Sequence, residues 1–182
     1  DPTESRGLGD VYKRQDLMDT EEITETINEM QYDTIDEFLD EHIPKDSYVD
    51  QWNIDGLESD IKNYLAGISN IKALAEQDGF DKEQLREHLY GLVRKKSSKR
   101  AEGHSKESVE NLERMVLLRI LDDKWKDHIN NLEQLRQTIG LRGYGQRDPL
   151  NEYKNESFAL FEGLLTNLKT DVTKTFSRIV IK

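Results

Sequence analysis

The stretch "IGLRGYGQRDPLNEY", residues 139–153, joins two long runs in which apolar residues recur every three or four positions. This spacing is typical of amphipathic α-helices. Asp148 and Pro149 form a favourable helix start, because an aspartate can accept hydrogen bonds from the first turn and a proline suits its first position. The sequence therefore predicts an all-α fold built on an antiparallel hairpin of two long helices, about 107–140 and 149–177.

The composition allows helices with one apolar stripe each, but not a large core. Hydrophobic and charged residues each make up 35% of the 182 residues, and three prolines and eleven glycines are too few for the turns of an all-β fold. Cysteine is absent, which excludes disulfides and thiolate metal sites and suits a reducing compartment. No apolar run approaches the roughly 20 residues that span a bilayer, so any membrane association is expected to be peripheral.

The charges divide the chain into two modules of opposite sign. Residues 16–93 carry 21 acidic and 5 basic side chains, whereas residues 94–182 carry 13 acidic and 18 basic ones. This division indicates modules with different surroundings, or simply two solvated surfaces of unrelated composition. We predict an acidic helical wing at 16–96 and a segment with the hairpin at 97–182. Residues 1–15 lack periodicity and are set aside as a ragged end or an assembly scar.

The wing is expected to consist of short helices with recognisable ends. A capping box that begins at Asp19 can start the first helix, and Pro44 stops it. Asp81 is placed to cap a further helix over 82–96. The polar, Ser/Lys-rich stretch 96–108 then predicts a hinge, so that wing and hairpin are only loosely coupled.

The residue types needed for catalysis are not grouped in this sequence. No glycine-rich phosphate loop follows a strand pattern, and no carboxylate pair sits in an apolar setting. Four dispersed histidines make a zinc site improbable, and His128 is expected on a helix surface or in an interhelical hydrogen bond. The basic residues alternate with acidic ones, which argues against nucleic-acid binding. We therefore predict no catalytic residue, no metal and no cofactor within this chain.

Two aromatic residues of the hairpin differ in their setting. Trp125 lies on the apolar stripe and is most simply a core anchor. Tyr144 lies between Gly143 and Gly145 in the connection, where it has no stripe to join. It either folds back on its own loop or provides a contact surface.

Residues 117–165 closely resemble the two-helix finger in the helical scaffold of the SecA protein-translocase ATPase family. The family's pattern of L-D-x-x-W-x-x-H, L-R-Q-x-I-x-L-R-x-Y-x-Q-x-(D/N)-P and E-Y is met here. The matching positions are Leu121, Asp122, Trp125, His128, Leu135, Arg136, Gln137, Ile139, Leu141, Arg142, Tyr144, Gln146, Asp148, Pro149, Glu152, Tyr153, Phe158 and Phe161. Residues 19–95 look like the family's wing domain, with "QWNIDGLESDI" at 51–61 similar to its tryptophan and D-G-L element. The family's motor domains, which bind ATP and magnesium, have no counterpart in this chain.

The resemblance implies a role for the connection between the helices. In the family, the finger enters the cytoplasmic mouth of the SecY channel, and its tip tyrosine contacts the moving preprotein. The residues that this implies for contact with polypeptide and channel are Leu141, Arg142, Tyr144, Gln146 and Arg147. Trp125, Asp148 and Pro149 are expected to be structural.

The resemblance also implies partners and a location. The partners are a SecY-type channel, unfolded preprotein and the rest of the SecA motor, at the cytoplasmic face of the membrane. The alternative from the residues alone is a free-standing helical interaction module without a motor. A phosphate loop and a DEAD-type acidic motif encoded upstream would distinguish the two.

Overall fold

The computed structural model describes residues 22–68, 70–142 and 148–179 of the chain. Its α-helices are α1 (Ile23–His42), α2 (Ile54–Tyr64), α3 (Ile71–Ala75), α4 (Lys82–Ala101), α5 (Lys106–Arg142) and α6 (Pro149–Phe176). A 3₁₀ turn at Val49–Gln51 lies between α1 and α2. The described residues contain no strand, which confirms the predicted all-α fold.

The two long helices agree with the sequence prediction. α5 runs without interruption from Lys106 to Arg142, through Trp125, and α6 begins at Pro149. Among the residues that the structure describes, no helix combines the length and the apolar content needed to cross a membrane. The chain divides into two compact units, residues 114–168 and residues 22–113 together with 169–179.

The helices α1 to α4 enclose one apolar core. Fourteen buried side chains form this cluster: Ile35, Phe38, Leu39, Ile43, Trp52, Leu57, Ile61, Leu65, Ile68, Ile71, Ala75, Leu85, Leu89 and Val93. α1 ends at His42, two residues before Pro44, as expected from a residue that cannot continue a helix. The capping box predicted at Asp19 lies outside the described residues.

The helix α4 begins as predicted but ends later. Asp81 accepts a hydrogen bond from the backbone N–H of Gln84 (2.8 Å), and the Gln84 side chain accepts one from the N–H of Asp81 (3.1 Å). The sequence predicts a hinge over 96–108, but α4 continues to Ala101. Four residues, 102–105, therefore lie between α4 and α5. The helix persists because the polar side chains of Ser97 and Arg100 are buried and extend its inward face.

The carboxyl end of α6 is bound to the wing by hydrogen bonds. The Ser177 hydroxyl donates to the carbonyl of Tyr64 (3.1 Å) and accepts from the backbone N–H of Ala66 (3.2 Å). Lys96 Nζ donates to the Ser177 carbonyl (3.2 Å), and Arg178 Nη2 donates to the Asn63 carbonyl (3.1 Å). The carbonyls of Asn63 and Tyr64 are among those that the end of α2 leaves without a helical partner. These bonds therefore help to hold residues 169–179 in the same unit as the wing.

Candidate functional site

The candidate contact site is the end of the hairpin, where α5 stops and α6 starts. Tyr144, Gln146 and Arg147 lie outside the described residues, so their predicted contact role stays a prediction. Arg142 is the last residue of α5. Leu141, the remaining predicted contact residue, is 83% exposed, which is the accessibility that such a role requires.

Asp148 and Pro149 start α6 in the way that the sequence predicts. Oδ1 of Asp148 accepts a hydrogen bond from the backbone N–H of Leu150 (3.1 Å), and Oδ2 accepts one from Nδ2 of Asn151 (3.0 Å). The Asp148 carbonyl accepts from the N–H of Glu152 (3.1 Å), which is the first bond of the helical series. Pro149 occupies the first helical position, where its missing N–H removes no helical bond. The start of α6 is therefore set by local interactions.

Leu150 is a candidate contact residue that the sequence did not single out. Its side chain is 66% exposed on the first turn of α6, close in sequence to the connection, as Leu141 is on the last turn of α5. Leu150 precedes Tyr153 by three residues, a spacing that places it in register with the apolar stripe. The sequence therefore carries no signal that this leucine faces solvent, and only the structure identifies it.

A buried seam runs along the two hairpin helices. On α5 it consists of Leu117, His128, Leu132, Leu135 and Ile139, and on α6 of Ser157, Leu164 and Leu168. The rings of His128 and Phe161 lie 5.9 Å apart between centroids, so α5 and α6 approach each other at this point.

Trp125 takes a different place from that of a fully buried anchor. Its ring is half-buried and lies 5.3 Å, between centroids, from the ring of His128. His128 itself is the buried residue of the pair, at 3% exposure. Trp125 thus packs on the side of the seam, and the position facing the opposite helix belongs to the histidine.

One group of potential metal ligands occurs in the described residues, away from the hairpin end. It joins Glu41, His42 and Asp60, whose ligand atoms lie within 4.8 Å of one another. Both ring nitrogens of His42 are already engaged, Nε2 with Oδ2 of Asp60 (2.6 Å) and Nδ1 with Nδ2 of Asn53 (3.1 Å). A cation would have to displace Asp60 or Asn53 from the ring. The contacts are therefore those of a histidine that ties the end of α1 to α2 and to its capping residue Asn53.

A second polar group lies on the α1–α4 side of the wing. The Tyr90 hydroxyl donates to Oδ1 of Asp36, and Nε of Arg86 donates to the same oxygen (2.9 Å). Burial raises the pKa of Tyr90, and the neighbouring Asp36 carboxylate raises it further, so the phenol stays protonated. The Tyr90 ring also stacks on Tyr32, with 4.3 Å between centroids. These contacts hold α4 against α1 and require no ligand.

Comparison with known proteins gives the family that these features match. Residues 11–180 match the family model described as the SecA Wing and Scaffold domain. Over 169 residues, 93% of this chain, the sequence is 38% identical to the protein translocase subunit SecA of Caulobacter sp. (strain K31). The match covers 18% of that relative, so the chain spans about a fifth of the length of the curated relative it matches.

Proposed function

We propose that this chain, which belongs to the SecA wing and scaffold family, is the wing and two-helix finger part of a SecA-like protein-translocating motor. In this proposal the end of the hairpin contacts the moving preprotein and the mouth of a SecY-type channel. The observation that carries it is the pair of exposed leucines, Leu141 and Leu150, on the two helix turns that flank the connection.

The chemistry of this end suits contact with varied polypeptides. Leucine and tyrosine side chains offer apolar surface that gains free energy on contact with many side chains, without a fixed hydrogen-bonding pattern. Tyr144 supplies the aromatic group between two glycines, which leave room for another backbone to approach. Arg142 and Arg147 add positive charge on both sides of it. A preprotein segment can therefore be gripped without sequence preference.

The helices give the contact a rigid support. α5 is a continuous helix of 37 residues and α6 one of 28 residues, so a displacement at one end is transmitted along the helix axis. In the proposed full-length protein, ATP and magnesium are bound by motor domains outside this chain, at the cytoplasmic face of the membrane. The present chain is expected to transmit and contact rather than to catalyse.

The decisive experiment replaces Tyr144 in the restored full-length protein. Tyr144→Ala is expected to slow preprotein transport into channel-containing vesicles several-fold, because it removes the aromatic contact. The stability of the isolated 182-residue chain should change by no more than about 0.5 kcal/mol, the usual range for a surface substitution. The matched control is Tyr48→Ala, which removes a 79% exposed tyrosine from the wing and should leave transport unchanged.

Two results would overturn this assignment. Transport at the original rate would show that the tyrosine makes no functional contact. A stability loss of several kcal/mol would show that Tyr144 is folded back as a structural residue. A photo-crosslinking side chain at position 150 extends the test, since it should label a stalled preprotein while the same group at position 48 should not.

A further inference from the structure

Four helices meet around one buried ion pair in the unit that contains the wing. Arg100 of α4 and Glu113 of α5 have side chains that are only 3% and 1% exposed, with 3.6 Å between Nη2 and Oε2. Thr24 of α1 donates its hydroxyl proton to Oε1 of Glu113 (2.9 Å). Arg100 Nη1 donates to the carbonyl of Phe176 at the end of α6 (3.3 Å), and its guanidinium carbon lies 5.3 Å from the centre of the Phe176 ring.

This buried pair lacks hydrogen-bond partners for several of its polar atoms. Among the described residues, Nε and Nη2 of Arg100 and Oε2 of Glu113 have no hydrogen-bond partner, and the 3.6 Å separation is longer than a hydrogen bond. Burial lowers the pKa of Arg100 and raises the pKa of Glu113, in each case against the effect of the partner. Both directions disfavour the charged forms. A buried pair of this kind contributes little net stability compared with apolar side chains of similar size.

We propose that the Arg100–Glu113 pair acts as a packing lock, which selects one register of α5 and α6 against the wing helices rather than adding net stability. Apolar neighbours such as Val109 and Phe176 tolerate small displacements, because apolar packing is not directional. An ion pair does not tolerate them. A shift of α5 by one turn would separate the charges and leave each of them buried alone, which is strongly unfavourable.

The lock has a consequence for the hairpin helices. Glu113 lies in the first third of α5 and Phe176 ends α6, so the pair acts on both helices within the unit that contains the wing. Thr24 fixes the carboxylate from one side and the Phe176 carbonyl fixes the guanidinium from the other. Each of the four helices thus contributes one polar group to the contacts around this ion pair.

The test compares single and double apolar replacements in the 182-residue chain. Arg100→Met and Glu113→Leu alone should each lower the thermal midpoint by about 5–15 °C, because each leaves one charge buried without its partner. The double variant should recover a midpoint within about 2 °C of the original chain or above it. Its amide hydrogen exchange at 106–113 and 169–176 should nevertheless be at least about tenfold faster, since alternative registers become accessible.

Every outcome decides the proposal. A double variant that unfolds, or loses as much as the single variants, identifies the pair as a net stabiliser and overturns the lock. Unchanged exchange in a stable double variant shows that apolar packing alone sets the register, which also overturns it. Single variants with the original midpoint would do the same. The control is Lys82→Met with Asp40→Leu, an ion pair at 2.7 Å whose side chains are 27% and 68% exposed, and it should change neither measurement.

Discussion

At the residue scale, Gly56 shows how one missing side chain sets a helix start. A Cβ added to Gly56 would lie 2.4 Å from Nδ2 of Asn53 and 2.8 Å from Cε1 of His42. The Asn53 side chain caps α2 by accepting a hydrogen bond from the N–H of Gly56 (3.1 Å). A methyl group would therefore displace the cap and the histidine together.

We expect Gly56→Ala to lower the free energy of unfolding by about 1–2 kcal/mol, although alanine favours helix more than glycine does. Gly91→Ala in the middle of α4 is the matched control, because its Cβ would meet only Nη2 of Arg94 at 3.8 Å. That variant should gain about 0.5–1 kcal/mol from helix propensity. Urea unfolding of the two variants measures both effects, and equal gains would disprove the crowding argument.

The titration of Glu113 predicts a pH dependence with a definite sign. Burial raises the pKa of Glu113 above its ordinary value, and Arg100 and Thr24 only partly oppose that shift. The folded chain therefore holds this proton over a pH range in which the unfolded chain has released it. The stability that the group contributes is present below the unfolded pKa and is lost as pH rises through the folded pKa.

Glu113→Gln removes this titration. The unfolding free energy of the variant minus that of the original chain should therefore increase as pH rises from about 4 to about 7. Denaturant unfolding at several pH values gives this difference, and Glu107→Gln, an exposed residue of the same helix, controls for loss of a charge. A difference that stays constant or decreases with pH would contradict the assigned direction.

At the element scale, the long helices were predictable because their signals are local. The predicted ranges 107–140 and 149–177 differ from α5 and α6 by no more than two residues at any end. Their stripes are continuous, and the Asp148 cap lies in the sequence itself. The end of α4 was not predictable in this way. Ser97 and Arg100 face inwards, but both are polar, so the spacing of apolar residues does not indicate that the helix continues through them. The exposure of Leu150 depends on tertiary contacts, which the stripe does not report.

Limited proteolysis distinguishes the polar hinge expected from the sequence from the short connector of the structure. Trypsin has potential sites at Lys95, Lys96, Lys99 and Arg100, all inside α4. These peptide bonds should resist cleavage, because a protease needs an extended chain and this helix is held by the buried Arg100. A glutamate-specific protease should cleave first after Glu102, in the four-residue connector. Rapid tryptic cleavage at 95–100 would show that this segment is a hinge, as the sequence predicts, and not part of a stable helix.

At the scale of the whole molecule, complete burial is concentrated in one of the two units. In the described part of residues 22–113 and 169–179, the fully buried large side chains include Ile23, Leu39, Leu57, Leu89 and Phe176. In the described part of residues 114–168, only Leu117 and Leu168 reach 1% exposure or less. Both lie at the base of the hairpin, far along the chain from the connection. The seam beyond them consists of apolar side chains at 5–8% exposure, with His128 and Ser157 between them.

This distribution predicts that protection against amide hydrogen exchange falls along the hairpin from its base to its end. Opening a turn near Ile139 or Tyr153 exposes little fully buried apolar surface, whereas opening one near Leu117 or Leu168 exposes more. Exchange near the connection should be at least about a hundredfold faster than in α4 around Leu89, with intermediate rates at the base. Exchange measured by mass spectrometry on the 182-residue chain gives these rates. Uniform protection along α5 and α6, equal to that of α4, would mean that the hairpin opens only together with the wing and that its seam is stronger than its burial indicates.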